Sequence, residues 1–274
     1  MSVDRALLAG FIRENPFQPA TCFWRAIEVG FVVERGLPEG RGLDVACGDG
    51  RLLGLLLDRL GRRPEVVGLD LDAREVEAAR KTGRYAALHV ASADRIPEPD
   101  TSFDWAFSNS ALEHIGPIEG TLAEVARVLR PGGRFIFTVP ADSFHACLGG
   151  PLWGDRGKYL AMIDQRCAHL RYWNEGEWRD ALDRAGLELT SIEPYLSASE
   201  VRRWETLSRL TAGLLYTLLR RQPIEIQRQL GMRRGQRLPV AISRLVGRLI
   251  AGRITARTAG PTGCLYVVAE RRAA

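Results

Sequence analysis

The chain reads as an α/β protein: a doubly wound sheet of seven strands, with helices ahead of it and a helical insertion before the last strand. Three observations carry that reading. Apolar strand-like runs and periodic helix-like segments alternate from Gly40 to about Tyr195, the pattern of βαβ units on a mostly parallel sheet. The first strand ends in a glycine-flanked turn, DVACGDG, that opens directly into a helix. The alternation then fails from Ser197 to about Thr258, where the sequence is helical in character, and one more strand follows.

Each element has its own signal. GLDVAC (Gly42 to Cys47) is the first strand, and RLLGLLLDRL the helix after its turn. EVVGLD (Glu65 to Asp70) is the second strand, followed by DAREVEAARKT, a helix that Asp72 caps. YAALHVAS and FDWAFSNS are the third and fourth strands, separated by RIPEPDTS with its two prolines. IEGTLAEVARVLR has apolar residues at helical spacing and stops at Pro131-Gly132-Gly133, a breaker expected to turn the chain before the strand RFIFTVP. NEGEWRDALDRAG is a further helix, LELTSIEPYL the sixth strand and GCLYVVAERR the last. The expected organisation is an N-terminal helical extension over 1–39 that contains TCFWRAIEVGFVVERG, a core over 40–196, a helical insertion over 197–258, and the final core strand over 259–274.

The bulk numbers exclude several classes. At 274 residues and 46% hydrophobic content the chain can bury a substantial core. The net charge of +5 is nearly all arginine, because only Lys81 and Lys158 are lysines. Codon bias in a GC-rich genome produces that pattern, so the excess reads as a solvated surface more than a nucleic-acid footprint. Cys22, Cys47, Cys147, Cys167 and Cys264 show no C-x-x-C spacing, which argues against a zinc site and a disulfide framework and for a reducing compartment. MSVDRALLAGFIRENPF has no apolar stretch of signal-peptide length, so a cytoplasmic protein is expected.

In open parallel sheets a ligand binds beyond the carboxyl ends of the strands. A dinucleotide turn needs G-x-G-x-x-G to seat a pyrophosphate on the helix start. This turn carries Asp44 and Asp49 instead, negative charge that suits a cationic ligand with an amino group and a sulfonium. LDVACGDG resembles motif I of the class I S-adenosylmethionine-dependent methyltransferases, in their UbiE- and UbiG-like, methyltransferase type 11 branch. Asp70, closing VVGLD, matches that family's ribose-binding acid; RIPEPDTSFDWAFSNSALEHI and VARVLRPGGRFIFTVP are similar to its later motifs. The likeness covers about Gly40 to Pro140, with a looser echo in HLRYWNEGEWRDALDRAGLELTSIE.

The resemblance implies a Rossmann-like methyltransferase sheet with its last strand antiparallel, S-adenosyl-L-methionine as cofactor and S-adenosyl-L-homocysteine as product. It also implies roles residue by residue. Asp44 and Gly48 hold the methionine end, Gly50 lets backbone approach closely, Asp70 takes the ribose hydroxyls and Leu71 packs beside the adenine. Asn109 touches the methionine part. Ser92 stands where the family has its adenine-binding acid, so either Ser92 makes that bond or Asp94 replaces it, with Ala93 between them. Ala46 stands where glycine is usual; because alanine avoids positive φ, an ordinary φ and a little extra bulk are expected there.

Methyl transfer is an in-line displacement that needs a base only when the acceptor must lose a proton. The candidates are His114 in SNSALEHI, His145 after the fifth strand, and His169 beside Tyr172 in CAHLRYW. Trp153, Trp173 and Tyr159 are candidates for an aromatic acceptor wall, and core packing explains them as readily. No N-P-P-Y follows the fourth strand and Cys147 follows an alanine, which argues against a nucleic-acid acceptor; no metal site is indicated. The expected acceptor is a small molecule of natural-product, sugar or lipid and isoprenoid type, with oxygen preferred as the methylated atom. The competing reading is a non-catalytic binding or assembly protein acting through the insertion. A dehydrogenase is disfavoured by the missing G-x-G-x-x-G.

Within the insertion, Leu210 to Leu219 is largely apolar but too short to span a bilayer. In RLPVAISRLVGRLIAGRI, Arg237, Arg244 and Arg248 share one helical face while Ile242, Leu245, Val246, Leu249 and Ile250 share another. A lid or homodimer contact is the ordinary reading of such a helix. A peripheral contact of 210–253 with the inner face of the membrane is the other.

Overall fold

The computed structural model describes residues 3–210, 237–251 and 260–273. In chain order its elements are α1 (Arg5–Glu14), α2 (Pro19–Arg35), β1 (Gly42–Val45), α3 (Arg51–Leu60), β2 (Val66–Asp70), α4 (Ala73–Arg80), β3 (Ala87–Val90), β4 (Phe103–Asn109), α5 (Ile118–Val128), β5 (Leu129–Pro140), α6 (Phe144–Cys147), α7 (Arg156–Cys167), α8 (Glu175–Arg184), β6 (Leu187–Ser197), α9 (Ala198–Ser208), α10 (Val240–Ala251) and β7 (Thr262–Arg271). The chain divides into two compact units. A sheet unit comprises Arg35–Asp142, His169–Tyr195 and Cys264–Ala274; a helical unit comprises Met1–Glu34, Ser143–Ala168 and Leu196–Gly263.

The strands order as β3-β2-β1-β4-β5-β7-β6. β1 pairs parallel with β2 and β4, β2 with β3, and β4 with β5, whereas β7 runs antiparallel to β5 from Arg134↔Glu270 to Pro140↔Cys264. β1 is buried along its whole length, as a central parallel strand covered on both faces must be. The strand order reverses direction between β1 and β4, so their carboxyl ends open the crevice where such sheets bind ligands. The core beneath is aromatic: Phe137 packs on Trp178 of α8 at 4.9 Å and on Phe135 at 4.8 Å. Truncating one of these buried rings costs about 3–5 kcal/mol. α8 starts on a capping box in which Asn174 accepts from the Glu177 N–H at 3.0 Å and the Glu177 carboxylate accepts from the Asn174 N–H at 2.8 Å.

The breaker Pro131-Gly132-Gly133 lies inside β5 instead of ahead of it. Leu129 already pairs with Phe103, and the register then jumps to Trp105↔Arg134, so the triplet bulges out of the ladder with Gly132 at φ +76°.

In the helical unit, Asp4 caps α1 by accepting from the N–H groups of Ala6 and Leu7, and α2 begins on Pro19, where a missing N–H costs nothing. Ser197 and Glu200 form the capping box that opens α9. Glu205 of α9 accepts from the Gly149 N–H at 2.8 Å, from Arg209 at 2.9 Å and from the Tyr159 hydroxyl. α10 packs on α1 through Ser243, Gly247 and Ile250; a Cβ on Gly247 would lie 3.7 Å from Ile12 and 3.8 Å from Leu8. The apolar face read from the sequence is therefore packed only in part: Ile250 is buried, whereas Leu245 is 58% and Leu249 72% exposed. Of the apolar run Leu210 to Leu219, all but Leu210 lies outside the described residues. Among the described residues no helix is long and apolar enough to cross a membrane.

Candidate cofactor and acceptor site

The turn between β1 and α3 is fastened to the end of β2. Cys47 N–H donates to the Leu69 carbonyl at 2.9 Å, and Gly48 N–H donates to Asp70 Oδ2, also at 2.9 Å. The other carboxylate oxygen of Asp70 accepts from Asp72 N–H at 2.9 Å. Asp70 is thus oriented by two backbone donors before any ligand arrives, with lone pairs left over for further donors.

Holding the turn in this way sets Ala46 at φ +60°, in the left-handed region, against the expectation of an ordinary φ. The steric cost of about 1–2 kcal/mol for an L-residue there is offset by the bonds that tie the turn to β2. Gly48 follows at φ +53°, with nothing within 4 Å of where its Cβ would be. Open space above a left-handed glycine is the cradle a ligand needs. Gly50, at φ +71°, is different: its Cβ would meet the Tyr85 ring at 2.6 Å. The close approach at Gly50 is therefore to Tyr85, a residue the sequence reading passed over as the first position of a strand.

Tyr85 also explains the state of Asp44. Its hydroxyl donates to Asp44 Oδ2 at 2.7 Å. The Asp44 carboxyl is pushed up to about 7 in all: burial raises it most, the Tyr85 bond lowers it, and the charge of Asp70 raises it. Burial and the neighbouring Asp44 charge likewise hold the Tyr85 hydroxyl well above its ordinary value. Burial raises the Cys47 thiol too, and the neighbouring charges of Asp44, Asp70 and Asp49 add to it. Asp49 itself accepts from Arg51 N–H at 3.2 Å at the start of α3 and lies 3.7 Å from the Arg51 guanidinium.

Around this turn lie the other predicted contacts. Leu71, just past β2, is 74% exposed, an apolar side chain open to a flat ligand. After β3, Ser92 is half-buried, Ala93 buried and Asp94 exposed. Their loop is anchored from below by Arg127, which donates to the Ile96 and Glu98 carbonyls, and by Glu124, which accepts from Ile96 N–H at 2.8 Å. Asn109 ends β4 opposite Thr138.

Beyond Asn109 the chain forms a single 3-10 turn, Leu112–His114, and here the structure brings two separate candidates together. His114 Nε2 lies 3.7 Å and His169 Nε2 4.0 Å from the same oxygen, Oε1 of the buried Glu113. The two imidazoles are 5.2 Å apart, and His169 Nδ1 meets the Tyr172 hydroxyl at 3.0 Å. The 169–172 segment is bound to the turn by Leu170 N–H on the Glu113 carbonyl at 2.8 Å and by Arg171 on the Leu112 carbonyl. The ligand atoms of Glu113, His114 and His169 all fall within 4.8 Å of one another. Tetrahedral zinc with bonds of about 2 Å needs ligand separations of about 3.3 Å, tighter than this arrangement; at 3.7 and 4.0 Å the histidines face Glu113 as charge neighbours rather than as hydrogen-bond partners.

His145 is not part of this group: it belongs to the helical unit, where its Nε2 meets Asp164 at 2.7 Å. Trp173 packs edge-on against Trp178 in the core, Tyr159 is held by Glu205 and Arg209, and Trp153 is exposed.

A family model described as a methyltransferase domain matches residues 43–137. The chain is 37% identical over 132 residues to the demethylmenaquinone methyltransferase of Symbiobacterium thermophilum, a stretch covering 44% of this chain and about half, 51%, of that protein. It is 31% identical over 193 residues to the ubiquinone/menaquinone biosynthesis C-methyltransferase UbiE of Brucella abortus, covering 63% of this chain and 71% of that one. The crystal structure of the [4+2]-cyclase SpnF superposes with a TM-score of 0.56 at 21% identity, over 90% of this chain and 81% of that one. The chain belongs to the class I S-adenosylmethionine-dependent methyltransferases. The family's cofactor is S-adenosylmethionine, and a left-handed glycine cradle ringed by Asp44, Asp49 and Asp70 fits that cation.

Proposed function

We propose that this chain transfers a methyl group to a small-molecule acceptor, with the turn Ala46–Gly50 and the end of β2 as cofactor seat. The observation that carries the reading is Asp70, held by the backbone N–H groups of Gly48 and Asp72 at the mouth of an acidic, glycine-lined cradle. Asp44 and Gly48 hold the methionine end with Asn109, Asp70 accepts from the ribose hydroxyls, Leu71 covers the adenine, and Ser92 to Asp94 edge it. Bound S-adenosylmethionine supplies an electrophilic methyl group and leaves as S-adenosylhomocysteine.

The acceptor loses a proton as its bond to the methyl carbon forms, and His114 takes it. The Glu113 carboxylate, 3.7 Å away, stabilises the resulting imidazolium, and His169 backs the pair. A base placed there supports a hydroxyl acceptor, such as a phenol, first. A ring carbon activated by a hydroxyl, as the quinone-pathway names of the relatives suggest, needs the same proton removed. We assign the reaction to the cytoplasm.

Calorimetry with S-adenosylhomocysteine tests the seat: Asp70→Ala is expected to abolish binding, and unchanged affinity rejects the assignment. A screen for S-adenosylhomocysteine release against sugar, phenol, polyketide and isoprenoid acceptors then finds the substrate. With it, His114→Gln is expected to lower kcat about a hundredfold or more at unchanged cofactor affinity. The competing reading, a non-catalytic binding protein on this fold, draws on Ser92 and Ala46 and requires that the wild-type chain fail to bind the cofactor.

A further inference from the structure

We propose that the outer side of α10, with the arginine groove at its flank, docks on an anionic phospholipid surface. Between the two helices runs a groove of about 410 Å³ whose walls carry Arg5 and Arg13 from α1 and Arg244 and Arg248 from α10. No carboxylate among the described residues pairs with any of these four side chains. The acids nearest in sequence are engaged elsewhere: Asp4 accepts from Ala6 and Leu7 N–H as the cap of α1, and Glu14 pairs with Arg237 at 3.0 Å. Four guanidinium groups around one groove repel one another, and the field they create favours a negatively charged occupant.

The outer side of α10 says which occupant. Going round the helix from the side packed on α1, the arginines at 244 and 248 come first, and Ile242, Leu245 and Leu249 then occupy the side turned away, 47%, 58% and 72% exposed. Ser243, Gly247 and Ile250 pack inward, so three large aliphatic side chains are left on the outer side of a surface helix, where polar residues ordinarily stand. A helix lying in a bilayer interface has this arrangement, with aliphatic side chains at the acyl boundary and arginines at headgroup level. A free phosphate would fill the groove and leave the aliphatic stripe in water. A second copy of the chain meeting the aliphatic stripe about a two-fold axis would bury the leucines and leave the arginine groove without a counter-charge. The lipid surface alone satisfies both features, and the proposal stands apart from methyl transfer because docking is read without cofactor.

The test is flotation of the full chain with vesicles of phosphatidylglycerol mixed with phosphatidylcholine, and with phosphatidylcholine alone. Binding to the anionic vesicles only, weakening with salt, is expected. Arg244→Ser with Arg248→Ser should lower partitioning about thirtyfold, at a contribution of about 1 kcal/mol per arginine near a charged surface. Leu245→Ser with Leu249→Ser should lower it about tenfold or more. All four side chains are exposed, so melting temperature and S-adenosylhomocysteine affinity should stay at wild-type values in both variants. Equal binding to both vesicle types, or wild-type binding by either variant, overturns the proposal. So does arginine-dependent titration of inorganic phosphate without vesicle binding, or a dimer in light scattering that the leucine variant dissolves.

Discussion

The titration of Asp44 gives the most direct handle on the cofactor seat. The carboxyl is buried, hydrogen-bonded to Tyr85 at 2.7 Å and pushed up to about 7. A ligand bearing an ammonium or sulfonium favours the ionised form. With that midpoint, Asp44 is about one-tenth ionised at about pH 6 and about nine-tenths at about pH 8, so S-adenosylhomocysteine affinity should rise about tenfold across that interval. Calorimetry in a buffer series measures it. Asp44→Asn should bind more weakly with a flat profile, and Tyr85→Phe, by removing a donor from the ionised form, should move the inflection upward and destabilise the fold by about 1–3 kcal/mol. Stability carries the opposite sign. Because the folded carboxyl titrates above the ordinary carboxylate range, its contribution is complete below about pH 4 and declines as pH rises towards about 7, by about 4 kcal/mol at most. Asp44→Asn should remove that decline from urea unfolding curves. A wild-type affinity that does not change with pH, or the same slope in Asp44→Asn, refutes the reasoning.

Two further predictions test the turn itself. Ala46→Gly should relieve the φ of +60° and stabilise the protein by about 0.5–1 kcal/mol after the entropy of the added glycine is subtracted, read as a rise in melting temperature. Gly50→Ala and Gly48→Ala should separate packing from binding. The first drives a methyl to 2.6 Å from the Tyr85 ring and should cost about 2 kcal/mol or more. The second meets open space, should cost about 1 kcal/mol in stability, and should weaken S-adenosylhomocysteine binding most.

The sheet was legible because each strand is a short apolar run closed by glycine or polar turn residues, and the buried central strands leave no room for a different period. What escaped depends on contacts remote in sequence. Tyr85 looks like any aromatic at a strand start, yet it fills a slot against Gly50 and Gly68 and reaches Asp44, forty-one positions back along the chain. Ala46 was misjudged because a single-residue preference of about 1–2 kcal/mol is smaller than what two hydrogen bonds to β2 supply together with the rest of the turn. The Pro-Gly-Gly breaker was read correctly as chemistry and misplaced as topology, since only the register with β4 reveals that Leu129 is already paired. Helical periodicity in α10 correctly separated arginines from aliphatics. It could not say how much of the aliphatic face packs, because Gly247 lets α1 approach between Ser243 and Ile250 and leaves Leu245 and Leu249 outside.

Asp70 is where fold and function share one side chain, and the two can be pulled apart. Its oxygens accept from Gly48 and Asp72 N–H, so the residue both fastens the turn and presents its remaining lone pairs to a ligand. Asp70→Ala removes both roles, and a loss of cofactor binding in that variant alone would not tell a missing ribose contact from a loosened turn. Asp70→Asn keeps one oxygen of the same shape but loses the charge and one of the two acceptors. If the ionised acid is needed chiefly for the ligand, this variant should stay within about 1 kcal/mol of wild type in urea unfolding while S-adenosylhomocysteine binding falls about tenfold or more. If its main role is to hold the turn, stability should drop by about 1–3 kcal/mol and the variant's remaining affinity should recover when Ala46→Gly relaxes the turn. The first outcome is expected, because Cys47 N–H still ties the turn to the Leu69 carbonyl at 2.9 Å when the carboxylate is gone.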